Sequence, residues 1–148
     1  MRRARLLAAA ALAAGCNQAA APPPPPAPVP GAVRPSVLEW EPAEPAAFAR
    51  AHTEHRGVVV LACAKWAAQC PALERVLAQP DVRRALGGWI AVEVDLTDES
   101  DAATAWQARH HVEAIPYLGF YDAGGRELAR IDTYVDADEL LLRAPPAP

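Results

Sequence analysis

The residues with the clearest chemical potential close one apolar run, VVVLACAKWAAQC at positions 58–70, in which Cys63, Trp66 and Cys70 fall close together. Two thiols exchange disulfides when a thiolate attacks a sulfur and the second thiol resolves the mixed disulfide. Cys63 ends the run and shares a sheet face with Leu61, since strand side chains alternate. Cys70 lies in the first turn of the next expected helix. A bond between them needs Cα atoms within ~7 Å, which a strand end and a first helical turn can satisfy. Spacing alone leaves both outcomes open: a bonded pair, or a Cys70 that is simply a buried structural thiol. If bonded and exposed the pair is a displaced redox couple; if bonded and buried, a staple.

Other chemistry is weaker. Cys63 and Cys70 with His110 or His111 offer soft thiolate and imidazole donors, but no cluster has a known metal-ligand spacing, so no metal and no cofactor are expected. His110-His111 ends an expected helix, where positive charge complements the dipole. His52 and His55 read as solvated helix residues. Trp66 is either a substrate-facing aromatic or a cap over the sheet edge, and Trp40, Trp89 and Trp106 read as packing residues.

These residues must be held by something. Residues 43–55 have helical composition, and 58–63 is a continuous β-branched run suited to a buried strand. A helix over 67–78 follows, with Leu73, Val76 and Leu77 on one face and Pro71 tolerated in its first turn. Residues 81–86 form a short helix and 89–96 an alternating strand. A helix over 100–111 leads to Ile115-Pro116. Strands at 117–121 and 127–134 flank Asp122-Ala123-Gly124-Gly125, a hairpin signal. A last helix covers 136–143, with Leu140, Leu141 and Leu142 as its buried side. The order argues for an α/β sandwich: a central mixed sheet of about four strands flanked by helices, ending in a hairpin and a helix.

The ends are different in kind. Residues 1–15 carry Arg2, Arg3 and Arg5 before the apolar stretch from Leu6 to Ala14 and read as a secretory signal, too short to span a membrane. LAAGC at 12–16 resembles a bacterial lipobox, which implies lipidation of Cys16 and a membrane tether outside the cytoplasm. Residues 16–35 form an Ala/Pro-rich linker; the 14 residues from Pro22 to Pro35 would reach ~43 Å as polyproline at ~3.1 Å per residue. The domain then covers 36–143, with a Pro-rich tail at 144–148. The formal net charge is −4 from 14 basic and 18 acidic residues, and it falls to −7 without the three signal arginines. An acidic domain without a basic patch argues against nucleic acid. Asn17 in place of Asp gives a lean towards the outer membrane.

From Gly57 to Leu142 the chain resembles the thioredoxin fold, and more narrowly the C-terminal periplasmic domain of the DsbD family of thiol:disulfide interchange proteins. The resemblance rests on A-x-W-x-x-x-C, Gln79-Pro80-Asp81-Val82-Arg83, VEVDLTD, V-x-x-I-P and F-Y-D-x-x-G. It implies a cis proline at Pro116 beside the active turn, with Trp66, Ile115 and Pro116 facing a bound polypeptide. It also marks departures. Ala67 takes the place of the nucleophilic cysteine, Gln69 that of a small residue or proline, and Leu61 that of a buried Asp. The leading expectation is an envelope lipoprotein, facing the periplasm, that binds a polypeptide or redox partner through a degenerate CXXC without dithiol turnover. The alternative is an atypical thiol–disulfide oxidoreductase using Cys70, alone or with Cys63. A purely structural lipoprotein would follow if the residues around Trp40 covered the Pro116 surface.

Overall fold

Strand β2, Val58–Cys63, is buried along its whole length and organises everything else. The computed structural model describes residues 38–42 and 44–148. The signal segment, Cys16 and the linker lie outside those residues. Around β2 the chain places β1 (Trp40–Glu41), α1 (Glu44–Glu54), α2 (Cys70–Leu77), α3 (Pro80–Ala85), β3 (Ile90–Asp95), α4 (Asp101–His110), β4 (Tyr117–Tyr121), β5 (Glu127–Ile131) and α5 (Ala137–Arg143). The sheet order is β1-β3-β2-β4-β5. β1, β3 and β2 run parallel, and β4 and β5 are antiparallel to their neighbours.

Alternation along β2 divides two cores. Val59, Leu61 and Cys63 point to one face, where Leu73, Val76, Val82 and Leu140 from α2, α3 and α5 cover them. Val58, Val60 and Ala62 point to the other, against Ala47 and Ala51 of α1 and Trp106 of α4. Each fully buried Leu or Val contributes roughly 1.5–3 kcal/mol relative to exposure. Gly57 lets this packing close: a Cβ there would meet the Trp89 ring at 2.3 Å.

The mixed sheet forms as expected, with five strands, because Trp40 and Glu41 pair with Ala91 and Val92 before Pro42, which has no N–H to extend the ladder. Three expectations need correction. The second helix begins at Cys70, not 67; the preceding residues form turns, with Ala67 N–H bonded to Ala64 O and Cys70 N–H to Ala67 O, both at 3.0 Å. β5 ends at Ile131, since the chain leaves the sheet to bury Val135 under α5. On α5 only Leu140 is buried; Leu141 and Leu142 face solvent, because one side of a two-turn helix reaches the core.

The hairpin forms as expected. Asp122 Oδ1 accepts from the backbone N–H groups of Gly124 at 2.9 Å and Arg126 at 3.0 Å, and Gly125 takes φ +81°, a conformation glycine adopts without a Cβ penalty. Among the described residues no helix is long and apolar enough to cross a membrane.

Candidate active site

The strand end and the helix start converge as their residues require. Cys63 O accepts from Leu96 N–H at 2.8 Å, and Lys65 N–H donates to Thr97 Oγ1 at 3.0 Å, so the chain leaving β2 is pinned to the chain leaving β3. The two turns then return it to the sheet face as α2 begins. Pro71 in the first turn of α2 removes an N–H that has no intrahelical acceptor. Gln69 precedes the helix without capping it; its Oε1 instead accepts from Tyr134 N–H at 3.4 Å, tying the turn to the loop after β5.

Cys63 and Cys70 form a disulfide, with Cα atoms 5.7 Å apart. The expectation of a half-lost motif is therefore corrected. Ala67 carries no thiol, yet Cys70 is not left unpaired, since the alternation of β2 turns Cys63 towards it. Both cysteines are buried, Cys63 at 5% and Cys70 at 1% exposure. They nevertheless line a cleft of about 340 Å³, with Lys65, Glu74, Glu93 and Asp95 around it.

The other site residues gather at the same end of the sheet. Trp66 is 59% exposed, so it is no cap over the sheet edge. Ala67 is half-buried and touches both cores. The Ile115-Pro116 bond is cis. Ala62 pairs with Tyr117, and one step further along that register Pro116 falls beside Cys63. Pro116 is buried, and Ile115 is half-buried against the core of α1 and α4. Trp40 stands on β1, with β3 and β2 between it and β4. It is thus remote from Pro116. Leu61 is buried, with Glu93 and Leu118 as its register partners on β3 and β4.

Sequence reasoning missed the carboxylates of the cleft. Asp95 pairs with Cys63 and Glu93 with Leu61 across β2 and β3. The signal was present in VEVDLTD, whose alternation puts residues 93 and 95 on one face. Thr97, through its side chain and its N–H, holds the Asp95 carboxyl below the usual carboxylate range.

A polar network behind Pro116 was also missed. Tyr117 and Tyr121 hydroxyls lie 2.7 Å apart, Tyr117 donates to Glu127 at 3.1 Å, and Arg130 donates to Glu127 at 2.7 Å. His110 joins this network: its Nε2 lies 3.1 Å from a Glu44 oxygen, outside hydrogen-bond alignment, and its Nδ1 is 3.3 Å from Tyr121. The Trp106 indole N–H donates to Glu44. Burial pushes the Tyr117 and Tyr121 hydroxyls up, and it pushes His110 down against the opposing pull of Glu44. His110 is thus an inward network residue. Arg130 brings a further cation to the end of α4, donating to His111 O at 3.0 Å and His110 O at 3.3 Å.

A larger cleft of about 740 Å³ opens beside β3, lined by Trp40, Glu44, Trp106 and Arg109 among others. No thiol lines it. The smaller cleft is the one lined by the Cys63–Cys70 bond.

The chain matches no family model. It is 32% identical over 92 residues to the thiol:disulfide interchange protein DsbD of Cronobacter sakazakii, a match covering 60% of this chain and 16% of that protein. The chain therefore spans a small fraction of that relative. A thioredoxin from Thermus thermophilus superposes with TM-score 0.61 at 25% identity, over 72% of this chain and 83% of that one. The oxidised C-terminal domain of Neisseria meningitidis DsbD superposes with TM-score 0.61 at 23% identity, over 66% of this chain and 87% of that one.

Proposed function

We propose that this chain, which has the thioredoxin fold and lies close to the DsbD type in sequence, is a cell-envelope thiol–disulfide exchange domain whose redox pair is Cys63–Cys70. The observation that carries this reading is the disulfide at the floor of an open cleft, between the end of β2 and the first residue of α2. An incoming thiolate attacks Sγ of Cys63, the less deeply buried residue of the pair, and the S–S bond breaks with its electron pair on Cys70. The departing Cys70 thiolate sits at the N-terminus of α2, where the helix dipole favours negative charge. A second external thiolate attacks the outer sulfur of the mixed disulfide and frees Cys63. Both cysteines take protons from solvent, and the external thiols leave joined as a disulfide. In the opposite direction Cys63 attacks a partner disulfide and Cys70 resolves it.

Trp66, Ile115 and Pro116 supply the surface for the partner polypeptide. Cys16 is lipidated and tethers the domain in the envelope facing the periplasm, at the outer membrane given Asn17; the basic segment, the apolar segment and LAAGC support this. A second reading has a specific observation behind it. Both sulfurs are nearly buried and Ala67 has no thiol, which suits a partner-binding module whose disulfide is a staple.

A reductase assay separates the two. The exchange reading expects turnover that is lost in Cys63→Ser and in Cys70→Ser. No turnover in the parent protein, alongside retained partner binding, leaves the binding module.

A further inference from the structure

The cleft over the Cys63–Cys70 bond is walled by carboxylates. Glu93 and Asp95 lie on β3 in register with Leu61 and Cys63, so they share the sheet face of those residues. Glu74 stands one helical turn beyond Cys70 on α2 and lines the same cleft. Lys65 is the cation of the rim, and its Nζ is 3.8 Å from Asp95, so that pair is locally compensated. Among the described residues, no ion pair neutralises Glu74 or Glu93. Arg83 lines the adjoining groove that both carboxylates touch, without pairing with either.

We propose that this rim selects by charge: anionic thiols are disfavoured at the disulfide, and the reductant that reaches it carries its thiol among basic groups. The inference rests on the reading of Cys63–Cys70 as the exchange pair, and it is the disulfide that makes the cleft a site. The attacking species is a thiolate, so its own charge already meets the rim. At a separation of about 6–7 Å, one uncompensated carboxylate would slow each added negative charge roughly threefold in water, and two would do so roughly tenfold. Salt shortens that reach, to ~8 Å at physiological ionic strength and ~3 Å at 1 M.

The test uses the oxidised protein carrying Cys16→Ser and three small reductants: cysteamine, 2-mercaptoethanol and 2-mercaptoethanesulfonate. Each rate of disulfide opening is divided by that thiolate's rate on a neutral reference disulfide, which removes intrinsic nucleophilicity. At low salt the cationic thiol should be fastest and the sulfonate slowest, by roughly tenfold per step. The spread should collapse in 1 M salt and in the Glu74→Gln, Glu93→Gln double variant, whose exposed positions leave the core untouched. Equal normalised rates, or a ranking unchanged in the double variant, overturn the charge selection and leave the exchange reading standing. A bond that none of the three opens until the chain is unfolded overturns the exchange reading, and the selection with it.

Discussion

Cys63 at the end of β2 and Cys70 at the start of α2 are joined with Cα atoms 5.7 Å apart, so the segment bearing Trp66 and Ala67 is a closed loop. Cross-linking a loop this short restricts the unfolded chain by about 2.5 kcal/mol in the chain-entropy account. Urea unfolding with and without reductant should show a loss of about 2 kcal/mol on reduction. An unchanged midpoint would mean that the bond adds no stability.

Trp66 should be separable from folding. It is largely exposed, and exposed substitutions usually stay within about 0.5 kcal/mol. Trp66→Ala should therefore unfold at the parent's midpoint while binding an unfolded thiol-containing polypeptide more weakly. Unaltered binding by titration calorimetry would remove Trp66 from the partner surface.

Ala67 is half-buried at the turn, three residues before the uncapped start of α2. In a Cys63→Ala background, Ala67→Cys should give Cys70 a new partner and install insulin reduction at least roughly tenfold above that background, by placing a thiol near a helix N-terminus. If peptide mapping finds no bond between the introduced thiol and Cys70, the turn cannot be rebuilt by one residue.

His110 gives stability a pH dependence. Burial pushes its pKa below the ordinary 6.5, against the pull of Glu44. The unfolded chain therefore binds the proton more readily than the folded one. Stability is fully present above pH 6.5 and falls as the pH drops through the lowered value. Glu127, held down by Arg130, acts in a separate window below its ordinary 4.5. His110→Gln should flatten the urea midpoint between about pH 7 and pH 5, and an undiminished slope would move that dependence to another group.

Much of the scaffold was legible in local pattern. The β-branched run of β2, the Asp122–Gly125 hairpin and the apolar face of α2 each follow from neighbouring residues. β1 was not legible, because two residues before a proline carry no period. The start of α2 was misplaced because Ala67 and Ala68 favour helix, while the link from Cys70 back to Cys63 and the Gln69–Tyr134 contact hold that stretch as a turn. The network of Glu44, His110, Tyr117, Tyr121, Glu127 and Arg130 draws on α1, α4, β4 and β5 together, so no sequence spacing could announce it. Cys63 lay in view, and strand alternation aimed it correctly. Only the register of β2 on β3 and the position of α2 could settle that it meets Cys70.

In the proposed exchange Cys63 is the entry sulfur and Cys70 the resolving one. Native protein carrying Cys16→Ser and Cys70→Ser, mixed with a small neutral disulfide, should yield a mixed disulfide at Cys63, mapped by peptide mass. Its rate should be at least roughly tenfold above that of Cys70 in the Cys63→Ser counterpart, given the sheltered position of Cys70. A native Cys63 that forms no adduct, or a Cys70 that reacts faster, would overturn the assignment of Cys63 as the entry sulfur.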